Sequence, residues 1–237
     1  MAAYDAVVVG AGPNGLAAAI RVAQQGGKVL VIEGRATVGG GVRSAELTLP
    51  GYVHDVCSAI HPLTAASPYL ATLPLHEFGL EWVEPPAEAA HPLENGEAVI
   101  VRRSVDETAA QLGRDGAAYR RLFGWLKART GDLFEDFLGP APLPPKHPLL
   151  LAFFGINALL PATTLAKLRF RTEAARAVFG GMAAHSIMPL DNVATAAFGL
   201  MLQTTAHAVG WVFPRGGAQQ IPDALAAYLR SLGGEIV

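Results

Sequence analysis

Val7-Val8-Val9-Gly10-Ala11-Gly12-Pro13-Asn14-Gly15-Leu16 is the stretch whose reading decides the fold. Four apolar residues, Ala6 to Val9, predict a strand buried on both faces, as strands of a parallel sheet are. Gly10, Gly12 and Gly15 then supply the G-x-G-x-x-G spacing where that strand would turn into a helix. Gly10 permits the tight turn, Gly12 lets backbone approach a pyrophosphate, and Gly15 lets the helix pack close to the strand. Pro13 and Asn14 complete the turn. The helix directs its free N–H groups and positive dipole end at the phosphates.

The context around the motif is complete. Leu16 to Gln25 is an alanine-rich helical run, and Gly26-Gly27 is a stop signal. Lys28 to Ile32 reads as a second buried strand, with Glu33 at its end, eighteen residues after Gly15. An acid there accepts hydrogen bonds from the ribose hydroxyls of an adenosine. A βαβ unit whose glycines serve packing alone is the plainer alternative. The full strand–turn–helix–strand–acid order favours a bound dinucleotide.

Directly after Glu33 comes Gly34-Arg35-Ala36-Thr37-Val38-Gly39-Gly40-Gly41-Val42-Arg43. A plain NAD-binding domain does not need a second glycine cluster here, whereas a loop passing close to an extended cofactor does. Arg35 and Arg43 are planar donors able to neutralise phosphate charge. The alternative is a surface turn with two solvated arginines.

With these residues in view, the chain resembles a known family. GAGPNGLAAAI (10–20), VIEGRATVGGGVRSAEL (31–47) and PGYVHDVCSAIHPL (50–63) resemble the phytoene desaturase-like FAD-dependent oxidoreductases. The similarity is greatest to the branch named after a pyridine nucleotide–disulphide oxidoreductase domain, within the larger set of amine oxidases and carotenoid desaturases. The resemblance implies FAD, with the first glycine loop on the pyrophosphate, Glu33 on the adenosine ribose and the second cluster along the cofactor. The candidate cofactor-binding residues are Gly10, Gly12, Pro13, Asn14, Gly15, Glu33, Gly34, Arg35, Gly39, Gly40, Gly41, Val42 and Arg43. Two positions depart from the family: Gly34 stands where many relatives have alanine, and Gly41 where they have arginine. No catalytic residue is assigned.

Composition sets limits on the alternatives. The 237 residues carry a net charge of −2, which leaves no electrostatic footprint for nucleic acid. Half the chain (51%) is hydrophobic before its 26 glycines are counted. Cys57 is the single cysteine, so neither an internal disulfide nor a C-x-x-C redox pair forms. The first strand begins too near Met1 for a targeting peptide, which predicts a cytoplasmic protein.

His54, Cys57 and His61 have a spacing that three metal ligands on one helix face would have. The set lacks a fourth ligand, and Pro62 would end such a helix, so no metal is expected. The resemblance instead brings His54, Asp55, Ser58 and His61 towards the flavin cavity.

Beyond Pro85-Pro86 the pattern changes. A hairpin is predicted around Asn95-Gly96, with Ala98 to Val101 as its second strand. Asp106 reads as a helix cap, Tyr119 to Arg129 as helix, and Ala141 to Pro148 as an extended connector. Leu149 to Ala166 contains no charge, at the lower length limit for a bilayer span. Gly155, Asn157 and Pro161 argue against a span. The readings left are a buried helix or wall of an apolar channel, and a surface helix touching a membrane, flanked by Lys146, Lys167, Arg169 and Arg171. Arg171 to His185 reads as a further helix. Gln203, Thr204, Thr205 and His207 suit a protein interior.

Trp211-x-x-Pro214-x-Gly216-Gly217, the helix Gln219 to Leu232 and a strand from Glu235 resemble the family's return to its cofactor domain. The expected fold class is therefore α/β: a Rossmann-like FAD-binding βαβ domain with a mostly helical α+β substrate-domain insertion. The expected division is 1–84, 85–209 and 210–237. The resemblance covers the N-terminal half of the family's length, which predicts self-association or a complementing C-terminal chain. The function expected is FAD-dependent hydride transfer from carbon of an apolar small molecule. The alternatives are a non-catalytic FAD scaffold or subunit of a split enzyme, and an NAD-binding dehydrogenase.

Overall fold

The computed structural model describes residues 3–139 and 144–237, so the connector read over 141–148 lies outside the described residues as far as residue 143. In chain order the elements begin β1 (Ala6–Val9), α1 (Pro13–Gln24), β2 (Val29–Ile32), β3 (Ser44–Glu46), β4 (Val53–Asp55), α2 (Pro62–Ala65) and β5 (Trp82–Val83). There follow β6 (Ala89–Pro92), β7 (Ala98–Val101), α3 (Val105–Ala110), α4 (Gly116–Tyr119), α5 (Trp125–Lys127) and α6 (Thr130–Leu138). The last are α7 (Pro148–Ala158), α8 (Ala162–Arg169), α9 (Glu173–Ala183), α10 (Thr195–Ala208), β8 (Phe213–Pro214), α11 (Gln220–Ser231) and β9 (Glu235–Ile236). The contacts divide the chain into two units. One contains residues 1–61, 70–83 and 212–237, the other 62–69 and 84–211.

The first unit is built on a parallel sheet of order β1-β2-β9. Parallel strands need crossover helices, and those crossovers are right-handed. Both steps across the sheet run the same way, so α1 and α11 share one face and pack against each other. Leu16, Ala19, Ile20 and Ala23 of α1 are buried with Val29 and Val31 of β2. The opposite face corrects the expectation of strands buried on both sides. Val7 pairs with Leu30 and Val9 with Ile32, and Val7, Val9 and Ile32 are 54%, 83% and 40% exposed. Two helices on one face, and none on the other among the described residues, leave these apolar side chains uncovered. The β3–β4 hairpin and the short β5–β8 pair complete this unit.

The second unit is helical around one hairpin. β6 and β7 pair antiparallel, with Pro92 opposite Ala98 and Gly96 in the left-handed conformation that the Asn95-Gly96 turn requires. Ser104, not Asp106, caps α3: its side chain accepts from the Glu107 N–H, and Asp106 sits in the first turn. Tyr119, Phe123, Phe170 and Phe179 are fully buried, each contributing roughly 1.5–3 kcal/mol by leaving water. The Phe170 ring centroid lies 6.3 Å from those of both Tyr119 and Phe179, tilted against each. Gln203, Thr204, Thr205 and His207 of α10 are all inside, as their polarity in a charge-poor stretch suggests.

The uncharged stretch becomes two helices. α7 and α8 meet at 99°, and no single helix among the described residues is long and apolar enough to cross a membrane. α7 is not a fully buried helix. It buries Phe154, Asn157 and Ala158 but exposes Leu149, Phe153, Ile156 and Leu159.

Candidate functional site

The site is assembled in the first unit from the β1–α1 turn. Gly10 takes a φ of 97°, and its N–H donates to Ile32 O at 2.7 Å, tying the turn to the end of β2. A side chain on Gly15 would run into the Gly10 carbonyl oxygen, so the third glycine is what lets α1 lie against β1. Gly12 differs. It caps α1 at φ −72°, and no neighbouring atom lies within 4 Å of where its Cβ would stand. The protein leaves space beside that backbone instead of filling it.

The start of α1 has no side-chain cap and no acidic residue in its first turn, and Pro13 occupies its first position. Its first N–H groups and the positive end of the helix dipole are therefore left for a ligand. Asn14 is exposed at this end.

Glu33 closes the other side of the turn. Its Oε2 accepts the Ala11 N–H at 2.8 Å and its Oε1 the Arg35 N–H at 3.1 Å. The Ala11 N–H above all holds this carboxyl below its ordinary range, helped by the N–H groups of Arg35 and Gly34 and the charge of Arg43 and opposed by burial. Each carboxylate oxygen keeps acceptor capacity for a hydroxyl.

The second glycine cluster folds back onto the first. The Gly39 N–H donates to Ala11 O at 2.8 Å, and a Cβ on Gly40 would stand 3.4 Å from the Gly12 Cα. Gly40–Val42 form a single 3-10 turn, and Arg43 Nε donates to Gly40 O at 2.9 Å. Gly34 and Gly41 have open space on their Cβ side, and Arg35 is exposed. The two loops thus lie together, while Gly39 itself is buried with a structural task. Its absent side chain makes room for the Pro222 ring and the Arg43 stem.

Asp55, which the resemblance brings towards the flavin cavity, has a structural task that the sequence reading did not assign. Asp55 Oδ1 accepts the Ser44 Oγ–H at 2.6 Å and the Ala218 N–H at 2.7 Å, and Ser44 Oγ accepts the Gln219 N–H at 3.0 Å. The β3–β4 hairpin thereby fixes the start of α11, and Gln219 Nε2 reaches Val38 O in the glycine loop at 3.1 Å. The signal in the sequence was Gly216-Gly217 after Pro214. A side chain on Gly217 would crowd Ser44 and Asp55. Beside this join lies an open groove of about 480 Å³ lined by Asp55, Ala59, Ile60, Pro214, Arg215 and Gly216, among others.

His54, Cys57 and His61 do not converge. His54 lies on β4 and its Nε2 meets Thr48 Oγ1 at 2.8 Å, while Cys57 is exposed. His61 is buried with Nε2 3.1 Å from Ser58 O. Burial pushes its pKa down, against the Ser58 carbonyl and the Asp55 charge. No group of three metal-ligating side chains occurs among the described residues.

Residues 8–73 match the model of the NAD(P)-binding Rossmann-like domain. A limonene dehydrogenase subunit from Castellaniella defragrans is 26% identical over 137 residues, covering 58% of this chain and 25% of that protein. Among solved structures, wild-type putrescine oxidase bound to putrescine superposes with a TM-score of 0.60 at 22% identity, covering 98% of this chain and 50% of that one. A fatty acid isomerase from P. acnes that produces CLA gives 0.54 at 19%, covering 97% of this chain and 51% of that one. This chain spans about half the length of those solved chains. The first unit thus has a Rossmann-like fold, and the chain has the fold of about half of putrescine oxidase.

Proposed function

We propose that this chain supplies the cofactor-binding half of an FAD-dependent oxidoreductase acting on an apolar substrate. The observation that carries the reading is the uncapped start of α1 beside the open backbone of Gly12, with the Glu33 carboxylate on one side and the second glycine loop drawn against it. These residues fit the group. The N–H groups of α1 would hold the pyrophosphate, Glu33 would accept the adenosine ribose hydroxyls, and Gly40, Gly41 and Arg43 would flank the extended chain. When bound, FAD supplies a hydride acceptor, so that the protein's own tasks are binding, orientation and exclusion of water. The name of the similar limonene dehydrogenase subunit supports a hydrocarbon-like substrate and a reaction of the phytoene dehydrogenase kind.

A second reading has its own observation. Val7, Val9 and Ile32 are uncovered, and β1 has a neighbour on one side alone among the described strands. A strand edge with an apolar face attracts a partner. On this reading the chain is one subunit of a split oxidoreductase, binding FAD but turning over only with a complementing chain.

The test is the visible spectrum of the purified protein, followed by quantification of cofactor released on heating. A yellow protein releasing FAD in near-equimolar amount is the expected result. A colourless protein that takes up added NADH but not added FAD overturns the proposal.

A further inference from the structure

The second unit carries a feature that flavin binding does not use. α7 is apolar on all sides, a pattern that belongs to a buried helix, yet Leu149, Phe153, Ile156 and Leu159 form a stripe open to solvent. The spacing of four, three and three residues puts them on one face. Ile156 is 72% exposed and Leu159 64%.

The stripe continues across the chain. The Ala194 N–H donates to Leu159 O at 3.0 Å and the Ala196 N–H to Leu160 O at 3.2 Å. These bonds, with the Thr163 N–H to Leu190 O at 3.3 Å, bring residues 190–194 alongside the α7–α8 elbow and add Val193 (69% exposed), while Ile187 (93%) stands earlier in the same loop. Ile187 has a φ of 53°. A β-branched residue in the left-handed region is a costly conformation, held here at the point of greatest exposure.

Charge gives the face a direction. Beyond the elbow Lys167, Arg169 and Arg171 are exposed, with Arg114 and Arg176 bonded to the carbonyls of Arg171 and Phe170. The Asp115 carboxylate in this region is occupied by the N–H groups of Arg171 and Thr172. Glu173 is an exposed acid two residues beyond Arg171, and Asp191, also exposed, accepts the Thr163 hydroxyl at the start of α8. At the opposite end of α7, Lys146 and His147 are matched by Glu135 and Asp132. The apolar stripe therefore has a cationic rim at the α8 end alone.

We infer that this face docks onto an anionic lipid bilayer, with α7 lying in the boundary between headgroups and acyl chains. Ile156, Leu159, Val193 and Ile187 enter the apolar layer, and Lys167 and Arg171 meet anionic headgroups. The length of α7, about 16 Å by helical rise, is roughly half a hydrocarbon core, so the helix lies on the membrane and does not cross it. A protein partner would be expected to find hydrogen-bonding groups, whereas the exposed stripe of α7 offers apolar side chains alone.

The test is co-sedimentation of the full chain with vesicles of pure phosphatidylcholine or of phosphatidylcholine with phosphatidylglycerol, at low and high salt. The wild type is expected to pellet with the anionic vesicles at least tenfold more than with neutral ones, and to be released by salt. Ile156→Glu combined with Leu159→Glu removes pelleting, and Lys167→Glu with Arg171→Glu removes the salt dependence, with circular dichroism unchanged in both. A wild type that stays in the supernatant overturns the inference, as does pelleting undiminished by Ile156→Glu with Leu159→Glu. A protein cover is the answer instead if that pair converts an oligomer to a monomer in light scattering while the wild type ignores vesicles.

Discussion

The Ala218 N–H donates to Asp55 Oδ1 at 2.7 Å, joining residues 163 positions apart. The same oxygen takes the Ser44 hydroxyl, so one carboxylate fixes the start of α11 against the β3–β4 hairpin. Negative charge at that helix end is also favoured by the dipole. Asp55→Ala leaves the Ala218 N–H and the Ser44 hydroxyl without this acceptor and is expected to cost about 1–3 kcal/mol. Chemical denaturation measures it. Asp55→Asn, which keeps an acceptor, should lose less.

Gly12 and Gly15 differ by three residues and should fail in opposite ways. Gly12→Ala adds a methyl where no neighbouring protein atom lies within 4 Å, at a φ any residue adopts. Its melting temperature should stay at or above that of the wild type while cofactor content drops. Gly15→Ala drives the methyl into the Gly10 carbonyl. It should unfold more easily and lose cofactor as a consequence. Thermal melts paired with absorbance of the two proteins separate binding from folding.

Glu33 has a depressed pKa in the fold, chiefly through the Ala11 N–H. The stabilisation from its carboxylate is therefore complete above the ordinary glutamate value of about 4.3 and is lost as pH falls through the lower folded value. FAD affinity should be flat through the neutral range and weaken only at strongly acid pH. Glu33→Gln should bind more weakly at neutral pH and lack that acid limb. Fluorescence titration with FAD from neutral to acid pH reads both.

The trio Tyr119, Gln203 and His207 carries a different pH signature. His207 Nε2 lies 2.7 Å from the Tyr119 hydroxyl, which also accepts from Gln203 Nε2 at 2.6 Å. Burial, foremost, brings the His207 pKa down to about 4. Below the ordinary value of about 6.5 the unfolded chain binds a proton that the folded one refuses, so stability falls as pH drops towards the folded value. The full window is worth roughly 3 kcal/mol. Urea unfolding at neutral and mildly acid pH should show the loss, and His207→Asn should remove its His-dependent part. Tyr119→Phe removes the buried hydroxyl that both His207 Nε2 and Gln203 Nε2 meet, leaving those two atoms only their mutual contact at 3.2 Å, and should cost about 1–3 kcal/mol at any pH.

The strand–glycine–helix–strand–acid run was legible because each step is local: Gly10, Gly15 and Glu33 act within one βαβ unit, and the turn chemistry is written in adjacent residues. The hairpin at Asn95-Gly96 was legible for the same reason. What the sequence hid is set by distant partners. Nothing near Asp55 says that it receives the N–H of Ala218, just ahead of α11. Nothing near Val7 and Val9 distinguishes a strand covered on both faces from one covered on a single face. Ser104 displaced Asp106 as cap because both residue types cap well and only backbone geometry separates them. The candidate ligands His54, Cys57 and His61 shared a spacing that meant something only on a helix, and His54 is in a strand.

β2 and β9 are neighbours in the sheet, with Val31 opposite Ile236, yet the whole second unit lies between them in sequence. Closing so long a loop costs entropy before any ladder bond repays it. β1, α1 and β2 meet through local contacts and have no such wait. The sheet's third strand is thus expected to pair late in folding, once collapse of the second unit has shortened the loop between residues 32 and 235. During synthesis the glycine turn emerges about 200 residues before its supports from α11. The nascent chain therefore holds its glycine turn before it holds the residues that brace it, a timing fixed by connectivity alone.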